Sequence, residues 1–299
     1  MGFATEIGLP VALAIIMFSM GLTLRPADFA RIAEAPRLFA LGAFSQMVIL
    51  PAVAFVLVFS WDNWFGMNPA IAVGFLILAA CPGGVTSNFL THVARGDTAL
   101  SITLTAVISL LAVLWVPLIV NFALSEFMSA EEVSLPLGQT VIEIFLITTV
   151  PVLTGMILNH FRPALVDRIE NSVMRLATVL FCIVVAGAVA AEWNLLVTHF
   201  SEVGPPVLIL NVLMLAIGFG WALLFRLGRP QAIAISLETG LQNATLAIFV
   251  GATLLRNDEM IVPGGVYGLV MLATAGGLVL FLRREAAPAK AETSVNPSK

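Results

Sequence analysis

The chain has 299 residues, of which 60% are apolar and 11% charged, with a formal net charge of −4 and a mean hydropathy of +1.03. Soluble globular domains carry about 25% charged residues, so this balance excludes a water-soluble fold. It implies an all-α integral membrane protein with the lipid bilayer as solvent and no nucleic-acid partner.

A hydrocarbon core of roughly 30 Å is crossed by about 17 to 25 apolar residues in a helix. Nine such stretches occur, over 5–24, 36–59, 69–93, 98–123, 136–159, 172–191, 203–226, 230–254 and 260–283. The first carries Glu6, lacks a basic start and runs into MGLTLRPADF rather than a small-residue cleavage site, so it is expected to stay as a span. Glu143, near one end of the fifth, is expected at the headgroups. The last residues, 284–299, are polar and rich in Ala, Pro, Ser and Lys, which predicts a disordered tail.

The basic residues alternate with the spans. Arg25, Arg31 and Arg37 follow the first, Arg95 the third, Arg162, Arg168 and Arg175 the fifth, and Arg226 and Arg229 the seventh. Arg283, Arg284, Lys290 and Lys299 follow the ninth, and only Arg256 falls on the other side. The positive-inside tendency then places the N-terminus outside and the C-terminus in the cytoplasm of a multi-pass protein of the cell's plasma membrane.

Two segments break the apolar pattern, CPGGVTSN in the third span and ETGLQNAT in the eighth. Pro82 removes a helical hydrogen bond, and Gly83, Gly84 and Gly240 weaken the helix, so both spans are expected to be discontinuous. They lie five crossings apart. An odd offset makes them run in opposite directions, as in the inverted repeats of secondary transporters.

Glu238, about eight residues into the eighth span, is costly at that depth unless paired or wetted, and no Lys or Arg matches its depth. A bound cation is the simplest partner; a protonated Glu238 that only bridges helices is the structural alternative. Hard cations such as sodium take oxygen ligands. Ser87 and Asn88 follow the proline-glycine break, Ser101 and Thr105 share one face of the fourth span, and Gln46 is a buried amide in the second. Cys81 and Cys182 lie within apolar spans and read as small buried apolar residues, while His92, His160 and His199 have no second ligand at metal spacing. No transition metal and no cofactor other than a coupling ion is expected.

At these residues the sequence resembles the bile acid:sodium symporter family. The matching stretches are GLTLRPADF, QMVILP, CPGGVTSNFLTHVARGDTALSITLT and ETGLQNATLA, with VPGG near the end, over about residues 5 to 280. The resemblance implies a nine-helix form of that fold. It implies a panel of helix 1 (5–34) and helices 5–6 (136–194), and a core of helices 2–4 (36–125) and 7–9 (203–283) with two discontinuous crossing helices. It also implies a first sodium site of Ser87, Asn88, Ser101, Thr105 and Glu238. A second would comprise Gln46, Glu238 and Gln242 with the carbonyls of Thr239 and Leu241.

For the substrate, Asn243 matches, with Thr86 and Thr274 as further polar candidates. Well-studied bacterial members carry a His-Asn pair where this chain has Met271 and Leu272, and often threonine where it has Val85. The expected activity is symport of about two sodium ions with one small monovalent organic anion, a 2-oxo or hydroxy acid or a steroid acid, with a monomer plausible. Competing readings are a proton-coupled carrier using Glu238 and a sodium-binding sensor or scaffold without transport. An intramembrane enzyme is disfavoured by the lack of paired acidic motifs. A related arsenite-exporting fold uses a cysteine in the corresponding broken helix, which draws attention to Cys81, but the surrounding CPGGVTSN and the sodium ligands point elsewhere.

Overall fold

The computed structural model describes residues 4–128 and 136–285. The tail expected to be disordered, with Lys290 and Lys299, lies outside the described residues from 286 onward. We label the spans α1 (Glu6–Thr23), α2 (Pro36–Phe65), α3a (Pro69–Ala80), α3b (Val85–Val93), α4 (Thr98–Phe127), α5 (Gly138–Phe161), α6 (Pro163–Ala191) and α7 (Phe200–Leu224). Then follow α8 (Arg229–Leu254) and α9 (Glu259–Arg284). Counting the bent pair α3a and α3b as one crossing gives nine candidate spans among the described residues. Two short helices, Pro26–Glu34 and Trp193–Thr198, lie between them.

Local chemistry sets the ends. Proline opens α2, α3a and α6, where its missing N–H costs nothing. Asn68 and Asp97 cap α3a and α4, accepting from Ala70 N at 2.9 Å and Leu100 N at 3.0 Å. Arg95 and Arg226 close α3b and α7 at φ 59° and 60°. The next residue in each case donates back across the last turn, Gly96 N to Thr91 O at 2.8 Å and Leu227 N to Ala222 O at 2.9 Å. Basic residues at helix C-termini thus sit where exposed carbonyls favour positive charge.

Wide π turns occupy Ser45–Ile49 in α2 and Phe145–Thr149 in α5, each followed at once by an aliphatic residue and a proline, Pro51 and Pro151. A proline cannot donate to the carbonyl four residues back, so the ladder widens there, and in α2 the widened turn contains Gln46.

Packing ranks the helices. All of the apolar window of α8 is buried, against 11% in α6, so α8 is the central element and α6 the most peripheral. Helix α1 packs along both α5 and α6, and α7 lies along the first half of α8. The α1–α5 crossing depends on Gly21 and Gly155: a methyl at Gly155 would lie 2.5 Å from the Phe18 carbonyl oxygen. Asn159 fastens the same crossing through bonds to the carbonyls of Leu22 (2.8 Å) and Leu24 (3.1 Å).

Three expectations change in detail. Helix α6 starts at Pro163, not near 172, because nothing after the N-terminal proline breaks the helix and its polar first turns extend beyond the apolar stretch. Cys182 is exposed on α6 instead of buried, since an outward face meets lipid, where a small apolar side chain is equally favourable. The eighth span is interrupted but remains one span, while the third bends by 59°.

Candidate cation site at the crossing of two interrupted helices

Helix α3 stops where Cys81 turns extended (φ −69°, ψ 146°) and restarts after Gly84, also extended. Helix α8 is helical to Gly240, loses its ladder over Leu241–Asn243 and resumes at Ala244. The predicted breaker Gly240 is thus the last helical residue and the break follows it. The two breaks touch: Asn243 N donates to the Pro82 carbonyl at 2.8 Å.

Beside that contact, Glu238 is buried at 1% exposure, and its partners are hydroxyls. Thr105 Oγ1 donates to its Oε1 at 2.6 Å, while Ser87 Oγ and Ser101 Oγ reach Oε2 at 2.8 and 3.2 Å. Asn88 Oδ1 accepts from Ser101 (2.8 Å) and Thr105 (3.2 Å), and Ser87 Oγ also lies 2.7 Å from the Gly84 carbonyl. Each of the three hydroxyls has one hydrogen and at least two oxygens within reach, so oxygen lone pairs outnumber the hydrogens that could fill them. Such a donor set suits a hard cation. The five residues come from α3b, α4 and α8 and form one connected network.

Gly83 makes the approach possible. A methyl there would collide with Glu238 Oε1 and lie 2.8 Å from its carboxyl carbon.

Gln46, Thr239 and Gln242 form a second cluster on the neighbouring side of the break. Gln46 Nε2 donates to Gln242 Oε1 at 2.6 Å and to the Cys81 carbonyl at 3.1 Å, and Gln242 Nε2 donates to the Thr239 carbonyl at 2.8 Å. Leu241 is extended (φ −112°, ψ 115°), which turns its carbonyl away from the helical ladder. Here amide N–H groups occupy oxygens that a cation would compete for.

Asn243 is buried at the crossing, where its Oδ1 caps the resumed helix through Leu246 N at 3.0 Å and its amide nitrogen lies 3.9 Å from Met17 Sδ on α1. Thr86 is half-buried on α3b. Thr274 lies elsewhere, facing α7, where it donates to Asn211 Oδ1. Met271 is buried and Leu272 partly exposed on α9.

Sequence reasoning missed three polar groups. Asn211 Nδ2 (2.7 Å) and the Tyr267 hydroxyl (3.0 Å) both donate to the Gly240 carbonyl, the acceptor at the edge of the α8 break. Thr91 Oγ1 extends the Glu238 network to 3.4 Å from Ser101 Oγ. The signal was present for Asn211, an amide in the middle of an apolar span. Glu143 is partly exposed and accepts from Gln139 at 2.8 Å. Among the described residues no group of three or more His, Cys, Asp or Glu side chains converges as a metal site.

The Sodium Bile acid symporter family matches residues 10–199 of this chain. The uncharacterized sodium-dependent transporter YocS of Bacillus subtilis is 30% identical over 236 residues, 79% of this chain and 71% of that protein. The probable sodium/metabolite cotransporter BASS2 of rice chloroplasts is 25% identical over 279 residues, 93% of this chain. The human ileal sodium/bile acid cotransporter is 26% identical over 245 residues, 80% of this chain and 67% of that protein. The chain spans 64% of the rice protein's length. These relatives are named as transporters and none as an enzyme. Apolar spans, two touching helix breaks and a family match over more than half the sequence make this chain a member of the Sodium Bile acid symporter family.

Proposed function

We propose that this protein carries a small monovalent organic anion across the membrane together with sodium ions, by alternating access. The observation that carries the reading is the Glu238 carboxylate, buried at the helix crossing among three hydroxyls and an amide oxygen. One sodium ion would take Ser87, Asn88, Ser101, Thr105 and Glu238. A second would take Gln46, Gln242 and the carbonyls of Thr239 and Leu241 beside Glu238, with the two amides turning their oxygens inward.

Two sodium ions against one carboxylate leave a charge of about +1, which an anionic substrate neutralises. Asn243 and Thr86 are the polar groups nearest that role, beside Met17 of α1. In this reading α1, α5 and α6 form a panel that rocks against the remaining helices. The basic ends face the cytoplasm of a plasma-membrane carrier, with the N-terminus outside. The supporting contrast is the peripheral packing of α6 against the wholly buried α8.

The test is thermal stability of the detergent-purified protein against sodium, with potassium as the ionic-strength control. Binding confined to the native state stabilises it by about 2.7 kcal/mol at a hundred times the dissociation constant. Sodium alone should raise the melting temperature, and Glu238→Ala should abolish the response. Equal behaviour in both salts would sink the sodium reading and leave the proton-coupled carrier as its successor.

A further inference from the structure

A groove of about 820 Å³ lies between α7, the first half of α8, and α9, apart from the Glu238 network. From α7 it is lined by Val212, Phe219, Gly220 and Leu223, and from α9 by Leu278 and Phe281, so its wall is almost wholly apolar. Val212, Leu223 and Phe281 are 50%, 47% and 57% exposed, so the groove opens sideways to the lipid and not into the protein interior.

Its two ends differ. Arg229 stands at one end, and the C-termini of α7 and α9 bring exposed Arg226, Arg283 and Arg284 to that same membrane face. The other end closes on Ser236 and Thr274, whose hydroxyls are engaged with the Leu215 carbonyl and Asn211. From Arg229 to Ser236 the helical rise is about 10 Å, and from Leu223 to Val212 about 16 Å. That depth matches one leaflet of a hydrocarbon core roughly 30 Å thick.

We propose that this groove is a binding site for an anionic phospholipid, with an acyl chain along α7 and α9 and the headgroup at the arginine cluster. A lateral opening admits a chain from the bilayer, the depth stops it within one leaflet, and basic residues between helix ends select a negative headgroup. The inference is independent of sodium coupling, since it uses none of the residues around Glu238.

The experiment is the melting temperature of the purified full chain in a non-ionic detergent, titrated with phosphatidylglycerol or with phosphatidylcholine of the same chains. Phosphatidylglycerol should stabilise at lower concentration. Arg229→Gln should raise its half-effect concentration about 5-fold, the equivalent of about 1 kcal/mol per basic residue, and leave phosphatidylcholine unchanged. A side chain added at Gly220 meets open space, and leucine favours the helix over glycine. Gly220→Leu should therefore fold and lose the response to phosphatidylglycerol. The proposal is overturned if the two lipids act alike, if Gly220→Leu responds as the parent does, or if the lipids do nothing while Gly220→Leu splits a dimer, which would assign the groove to a second copy.

Discussion

The two interrupted helices solve the same problem by different means. In α3 the break is local: Pro82, Gly83 and Gly84 follow one another, the axis bends by 59°, and the restarted half is partly exposed. In α8 no proline lies at the break, the span keeps one course, and its apolar window is wholly buried. Its freed backbone is held in part from outside, the Gly240 carbonyl by Asn211 and Tyr267, while Gln242 of α8 itself donates to the Thr239 carbonyl. A buried unpaired carbonyl costs about 1 to 3 kcal/mol, so without these donors the α8 break would be unstable. The α3 break follows from its own proline and glycines, although Gln46 and Asn243 also engage its carbonyls; the α8 break, which has no proline, leans more on its neighbours.

The strongest way to break that comparison is at Gly83, where the α3 break meets the α8 carboxylate. Gly83→Ala leaves the proline and the bend intact but drives a methyl into Glu238. Overpacking of this kind costs about 1 to 3 kcal/mol, and the carboxylate must move from its three hydroxyls to relieve it. The expected outcome is a folded protein of lower melting temperature whose sodium response is gone. A variant that keeps the parent's sodium response would show that the close approach of the two breaks is incidental.

Next in size come the outside supports of α8. Asn211→Leu and Tyr267→Phe should each lower stability by about 1 kcal/mol and weaken the sodium response without abolishing it. Both donate to one oxygen, so the double variant should lose more than the sum of the singles, with a coupling of about 0.5 to 3 kcal/mol. Strict additivity would mean that the Gly240 carbonyl finds another partner and that α8 does not depend on its neighbours.

The same contrast explains what the sequence made legible. The nine spans followed from apolar length, and the α3 break from a proline-glycine-glycine run that no helix absorbs. Glu238 stood out because a carboxylate at mid-span needs a reason. What Asn211 and Tyr267 do was not legible, because each lies in an apolar stretch and its partner is a carbonyl on another helix. The long start of α6 escaped because apolar length measures a membrane crossing, whereas a helix runs until something stops it. Cys182 escaped because an apolar span has an inner face and a lipid face of the same composition. Thr274 was a candidate by type alone; it donates to Asn211, which also supports the α8 break, and it lines the groove between α7 and α9.

The smallest expected effect concerns Cys81, the first extended residue of the α3 break. Its carbonyl accepts from Gln46 at 3.1 Å, and its thiol lies buried 3.2 Å from the Ile77 carbonyl, one turn back on its own helix. If the α3 break acts through backbone geometry, the carbonyl matters and the thiol does not. Cys81→Ser keeps a donor of similar size toward Ile77 and leaves the carbonyl in place. With that bond retained, stability should change by about 1 kcal/mol, the scale of a single hydrogen bond, and the sodium response should be unchanged. Loss of that response on removing one sulfur atom would make the thiol part of the site. The α3 break would then supply chemistry as well as shape, and the contrast with α8 would have to be redrawn around a reactive group.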